Sequence, residues 1–358
     1  MSLAVTVLKN SAVLLLFLLF ISCGTKNKEY ANNVFPYSQF PQEKELKGEV
    51  IELDTALFRY PFRIRIEGDK AIVLDLHGSD YYGHLFQYPS FRYLSSFGRR
   101  GDSPLEMLSI ENFRLHNHTL WTLDANKSEL TRLDFSSSGD SLLREETVAL
   151  DEDILRPLDF AIYNDTTFVI PDYSGESRFL KVDCKGKLIE KIGTIPTTNK
   201  KALQEARPAL AQAWRSFLDY NSHNSVLATV TQLGEVVEIY NLKDSTHVIR
   251  VGEYDEPEFK VSDGYGIPTG IMGFSDVQVT DDAIYAVFHG TSFKDIARQS
   301  GRLSDGGKYI YVFSLKGEPL CKYVLDHYIY GIWVDEVTKT IMATDVNNDQ
   351  PILKFSFG

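Results

Sequence analysis

Cysteine is scarce in this chain. Three occur in 358 residues, Cys23, Cys184 and Cys321, with no C-x-x-C pair and no zinc-ligand spacing. A disulfide framework is therefore excluded, and Cys184 and Cys321 are expected to be free, partly buried thiols. Positive charge is also short. Lysine and arginine total 37 against 49 aspartates and glutamates, a net charge of −12. Nucleic-acid binding needs a basic footprint and is not expected. Long apolar runs are missing too. The longest, Ala12–Ile21, covers only about half of the roughly 20 residues that cross a bilayer. G-x-S-x-G, H-E-x-x-H and the phosphate-binding loop are all absent. No cofactor is expected.

What the N-terminus does contain is an address. Lys9 precedes the apolar run, which ends in Ser22 and Cys23. A basic start, a short apolar core and a small-residue cleavage point read as a secretory signal. The "LFISC" end resembles the lipobox of bacterial lipoproteins, with Phe20 where leucine is commonest. Residues 1–22 are read as the signal, Cys23 as the lipidated first residue, and residues 23–44 as a polar tether. A plain signal peptide cut near Ser22 and a buried core segment are the alternatives. Removing residues 1–22 takes one lysine away, so 36 basic and 49 acidic residues leave −13. That charge disfavours an electrostatic grip on anionic lipid. Attachment rests on the acyl chains, several of which hold far better than one.

Aromatics are plentiful. Nineteen tyrosines and 22 phenylalanines recur in short strands bounded by Gly, Asn and Asp turns, so the class is all-β. One strand with a polar end repeats six times: "AIVLDLHGSD" from Ala71, "LWTLDANKSE" from Leu120, "TFVIPDYSGE" from Thr167, "VLATVTQLGE" from Val226, "IYAVFHGTSF" from Ile284 and "IMATDVNNDQ" from Ile341. The steps of 49, 47, 59, 58 and 57 residues each hold about four strands. That period marks a β-propeller, here six-bladed. The alternative is a pair of β-sandwiches. The last unit runs out after three strands, and "GEVIELD" (Gly48–Asp54) stands alone before the first. We expect that strand to complete the sixth blade and close the ring, giving a propeller over residues 45–358.

The second strands end at Asp75, Asp124, Asp172, Thr231, His289 and Asp345. This polar ring is either a set of turn caps or a circle of ligand contacts joined by His77. Three insertions decorate the same face: Thr198–Tyr220, the segment from Glu253 to Phe274, and Gly290–Lys308. Arg99, Arg100, Trp214, Tyr265, His289, Arg298 and Arg302 are candidate contacts there. Aromatics with arginine suit a sugar, a peptide or a protein partner. His116 and His118 share a strand face at the opposite end, without a local third ligand, and metal is not expected.

The stretch "FGRRGDSPLEM" spells the Arg-Gly-Asp triplet of integrin ligands. It also resembles the Gly-x-x-Gly-x-x-Pro-x-Glu signature of TolB-like six-bladed propeller lipoproteins of Gram-negative bacteria. The matching positions are Gly98, Arg99, Gly101, Pro104 and Glu106; Leu105 and Met107 depart from the pattern. The resemblance covers roughly residues 45–358. It implies a propeller on the envelope, facing periplasm or cell surface, and an inter-blade turn rather than an adhesion signal. It implies no reaction. The leading expectation is a membrane-anchored ligand-binding or protein-interaction module. The alternatives are a lyase or hydrolase acting on carbohydrate, and an accessory or sensor subunit for nutrient uptake.

Overall fold

The computed structural model describes residues 32–54, 57–298 and 304–358. The lipidation residue Cys23 and the candidate Arg302 lie outside them. Residues 33–358 form one compact unit of six antiparallel blades. Blade one runs Pro61–Glu67, Lys70–Asp75, Tyr81–Gln87 and Arg92–Arg99, from centre to rim. Blades two to five start at Ile110, Ala161, Ser216 and Phe274 and repeat the pattern. The second strands are apolar on both faces because each blade is covered by its neighbours. Ala71 to Leu74, for example, are fully buried. Phenylalanines fill the layers between blades, among them Phe113, Phe160, Phe168, Phe288 and Phe313.

Closure follows the expectation. Blade six has three strands from the C-terminus, Ile332–Asp335, Thr340–Thr344 and Ile352–Ser356. Its outer strand is Glu49–Ile51, with Ile51 opposite Ile352 and Glu49 opposite Lys354. Joining the first strand of the ring to the last leaves no seam where two blades merely abut.

The residues before that strand differ from the expected tether. Val34–Pro36 runs parallel to the outer strand of blade four, and Glu43–Leu46 parallel to that of blade five. Both cover edges that would otherwise present unpaired N–H and C=O groups. Two rings pin the segment. Tyr37 lies 5.4 Å from Phe313 and Phe40 lies 4.7 Å from Tyr311. The polar composition around them concealed these anchors. Cys321 is buried and Cys184 partly so, both free. Among the described residues no helix is long and apolar enough to cross a membrane.

The loop Gly98–Met107 is a braced turn. Gly98 has φ 65° and Gly101 φ 154°, values that side chains rarely allow. The Met107 amide bonds the Arg99 carbonyl at 2.8 Å, and the Gly101 amide bonds the Met107 carbonyl at 3.0 Å. The Glu106 carboxylate occupies the space beside Gly101, where an added Cβ would lie 1.9 Å from Oε2. It also meets Arg99 at 3.5 Å. Lys127 ties the turn to blade two through the carbonyls of Ser103 and Glu106, each 2.7 Å away. Gly98, Arg99, Gly101 and Glu106 thus each have a mechanical task, while Asp102 is exposed.

Candidate functional site

The polar ring at the second-strand ends is occupied by the backbone. Asp75 accepts the amides of Arg59, Tyr60 and His77. Asp124 accepts those of Leu108, Ser109, Asn126 and Lys127. Asp172 takes the amides of Ser174 and Ser177 and the Ser177 hydroxyl. Asp345 takes the Asn347 amide and the side-chain amides of Asn347 and Asn348. The Thr231 hydroxyl accepts the Val236 amide at 3.3 Å. These groups are buried and their acceptor sites are filled, as turn caps require. They do not form a circle of carboxylates open to a ligand.

The centre of the ring is closed by charge that the sequence reading overlooked. Arg63 and Arg65 come from blade one and Arg114 from blade two; Asp159, Asp219 and Asp276 face them from blades three, four and five. Arg65 reaches Asp276 with two nitrogens at 3.2 and 3.3 Å and bonds the Ile332 carbonyl at 2.7 Å. Arg114 bonds Asp159 at 2.6 Å and the Leu218 carbonyl at 2.7 Å. Arg63 is fully buried, its guanidinium 4.6 Å from the Phe217 ring centre across the channel. Its Nε and Nη2 lack hydrogen-bond partners, and Nε lies 3.6 Å from Asp276. Burial opposes the Asp276 charge, yet Arg63 and Arg65 hold its pKa below the ordinary carboxylate value. Burial lowers the Arg63 pKa and raises that of Asp219. The available signal was a charged residue inside an apolar inner strand, as in "PFRIRIEG".

A funnel opens on the face that carries the insertions. Its volume is about 490 Å³, within the range of ligand pockets. Leu155 and Leu158 come from the loop between blades two and three. Pro208 and Gln212 come from the short helix Arg207–Ala213, and Gly264–Pro268 from the hairpin Phe259–Ser262/Tyr265–Pro268. Met272 and Phe293 complete the apolar wall. Polar groups are Tyr173, Arg215, Gln232 and, at the rim, exposed Arg156. Among the described residues, no carboxylate lines the funnel. Arg215 meets Glu111 at 3.3 Å. The Tyr173 hydroxyl is buried and meets the Ser216 backbone amide, with no acceptor for its own proton; burial pushes its pKa up to about 12.

Only some candidates converge here. Tyr265 lines the funnel and is 58 % exposed. Trp214 is 1 % exposed and packs beneath the helices with Ile195 and Leu210, so it supports the wall rather than touching a ligand. Arg100 lies over the Tyr82 ring at 3.7 Å and donates to the Leu76 carbonyl, which makes it a brace. Arg99 is exposed beside Glu106. Arg298 is exposed on the helix Phe293–Arg298, 3.9 Å from Asp295. His77 packs edge-on to Tyr60 at 5.1 Å. His289 lines a separate polar cleft of about 570 Å³ with Tyr37, Glu235 and Tyr311, and burial lowers its pKa. His116 pairs with Asp165 at 2.9 Å and His118 with Glu67 at 3.8 Å. Among the described residues no cluster of three metal-capable side chains exists. Arg215, Tyr173 and Met272 were missed. Their only sequence mark is position: beside the buried Trp214, at a second-strand turn, and at the end of an insertion.

Comparison with known proteins agrees with this architecture. The TolB-like 6-blade propeller-like family matches residues 39–337. A DUF4221-family member from Bacteroides vulgatus superposes with a TM-score of 0.54 at 9% identity, covering 88% of this chain and 96% of its own. An auxiliary nutrient binding protein from Bacteroides ovatus gives 0.52 at 10%, covering 84% and 70%. At such identities the likeness is one of fold. No curated protein matches in sequence.

Proposed function

Since the chain belongs to the TolB-like six-blade propeller family, we propose that it is an extracytoplasmic, lipid-tethered binding module whose funnel captures a ligand. The observation that carries this reading is the funnel itself. Three insertions and two blade turns converge on an apolar cavity with polar donors at its base, on an otherwise rigid scaffold. Loops on a rigid frame are where binding concentrates. Leu155 and Tyr265, both exposed, add apolar surface to the funnel's lining. Catalysis has less support, because the ring aspartates are engaged by backbone amides. An accessory role in nutrient uptake fits the reading, as the name of the Bacteroides ovatus relative suggests for that protein.

The test has two arms. Envelope metabolites and oligosaccharides are screened by thermal shift against wild type and Leu158→Asp. A ligand should raise the wild-type midpoint and leave the variant unmoved, with both apo proteins melting alike. A ligand that stabilises both equally places binding elsewhere. For the tether, Cys23→Ala should release the protein from membranes or stall its processing. Normal processing with full membrane retention after a high-salt wash would overturn the anchor.

A further inference from the structure

The funnel's chemistry narrows its ligand. In a chain with 49 acidic and 37 basic residues, a cavity whose described lining holds Arg156 and Arg215 and no carboxylate is a local reversal of charge. Arg215 is held in place from both sides. It follows the buried Trp214, and its carbonyl accepts the Gln232 amide at 2.8 Å. Of the five N–H donors of its guanidinium, one meets Glu111 at 3.3 Å. Glu111 therefore orients the group without saturating it. Tyr173, on the cavity wall, adds a buried hydroxyl that meets the Ser216 backbone amide and finds no acceptor for its own proton. Leaving such a donor unpaired carries a cost, and a ligand oxygen would remove it. Around these donors the walls are apolar: Leu158, Leu233, Met272 and Phe293.

We infer that the funnel binds a small amphiphile with an apolar body and an anionic head, the head held by Arg215 and the Tyr173 hydroxyl. This rests on the funnel being the binding site. A carboxylate or sulfonate accepts charge-assisted bonds from both donors at once. The hydrocarbon body fills a space of about 490 Å³, and Arg156 at the rim favours approach of an anion.

Two matched probes separate the parts of the claim. Anilinonaphthalene sulfonate carries the anionic head, and N-phenyl-1-naphthylamine is the same body without it. Binding is followed by fluorescence, with stoichiometry by calorimetry. The sulfonate should bind at one site, about tenfold tighter than the neutral probe. Arg215→Gln should erase that gap while leaving the neutral probe's affinity intact, and Arg215→Lys should restore part of it. Glu111→Gln, which frees Arg215, should widen the gap. A purely structural Arg215 would show neither response. Equal affinities for the two probes, both lost in Leu158→Asp, would overturn the anionic head while leaving the funnel as the site. Probes indifferent to Leu158→Asp would overturn the site itself. Decanoate and an acetylated peptide ending in a free leucine carboxylate then compete for the sulfonate. Displacement by decanoate alone marks a fatty-acid-like source, by the peptide alone a chain terminus. Displacement by neither overturns the inference.

Discussion

The closed channel and the open funnel both set arginines beside acidic residues, buried in the channel and partly open to solvent in the funnel, and they do opposite things with them. In the channel, three arginines face three aspartates, and Asp276 serves Arg65, Arg63 and the Ile332 amide together. Even the unpaired nitrogens of Arg63 are boxed by the rings of Phe62, Phe217 and Tyr330. In the funnel, Arg215 has a single carboxylate contact and a cavity in front of it. The contrast teaches that charge alone does not mark a site. What matters is whether its hydrogen-bonding capacity is already taken and whether anything can reach what is left.

The strongest way to break the comparison is to open the channel. Asp276→Ala leaves Arg63 and Arg65 buried without their shared counter-charge. Breaking a buried pair from one side costs about 3–5 kcal/mol, and the Ile332 amide loses its acceptor as well. We expect the lowest unfolding midpoint here, from denaturant titration. A loss below about 1 kcal/mol would show that water reaches these arginines and that the channel is not closed.

The fold was legible in the sequence because a propeller repeats. Six copies of a strand ending in a polar residue give the blade count, and an orphan strand at Gly48–Asp54 with an incomplete last blade gives the closure. Both depend on local pattern. The channel pairs were not legible, since Arg65 and Asp276 are 211 residues apart and only closure of the ring brings them together. The funnel was legible in outline alone. Insertions announced the correct face and Tyr265 was found, but whether an arginine points into a cavity or, like Arg100, lies over a tyrosine ring is decided by packing. The edge strands before residue 47 stayed hidden because their few apolar residues, such as Val34, Phe35 and Leu46, are scattered without a strand period through a polar stretch.

A middle-sized effect sharpens the comparison at the rim. The Gly98–Met107 turn carries Arg99 and Arg100 near the funnel face, yet its residues are committed to structure. Gly101→Val puts a β-branched side chain at φ 154°, against the Glu106 carboxylate. The expected cost is about 1–3 kcal/mol. Asp102→Ala, at an exposed position, should change stability by no more than about 0.5 kcal/mol. The order of the two is the measurement. Should Asp102→Ala abolish partner binding while Gly101→Val folds normally, the turn explanation fails and the Arg-Gly-Asp triplet becomes a recognition element.

The smallest expected effect on stability belongs to the funnel. The Arg215–Glu111 pair is partly open to solvent, at 31 % and 21 % side-chain exposure, and its contact is a single one at 3.3 Å. Pairs of this kind contribute about 0–1 kcal/mol, because solvent screens them and two long side chains must be held in one geometry. Arg215→Gln should therefore leave the midpoint within about 1 kcal/mol of wild type, and the double variant with Glu111→Gln should add little. Equilibrium unfolding in urea of the two single variants and the double variant gives the coupling energy directly. A coupling approaching that expected for Asp276 would mean that Arg215 is a structural charge like those of the channel, with no capacity to spare for a ligand. A small coupling leaves it as a charge that is fixed in place, accessible and not yet satisfied.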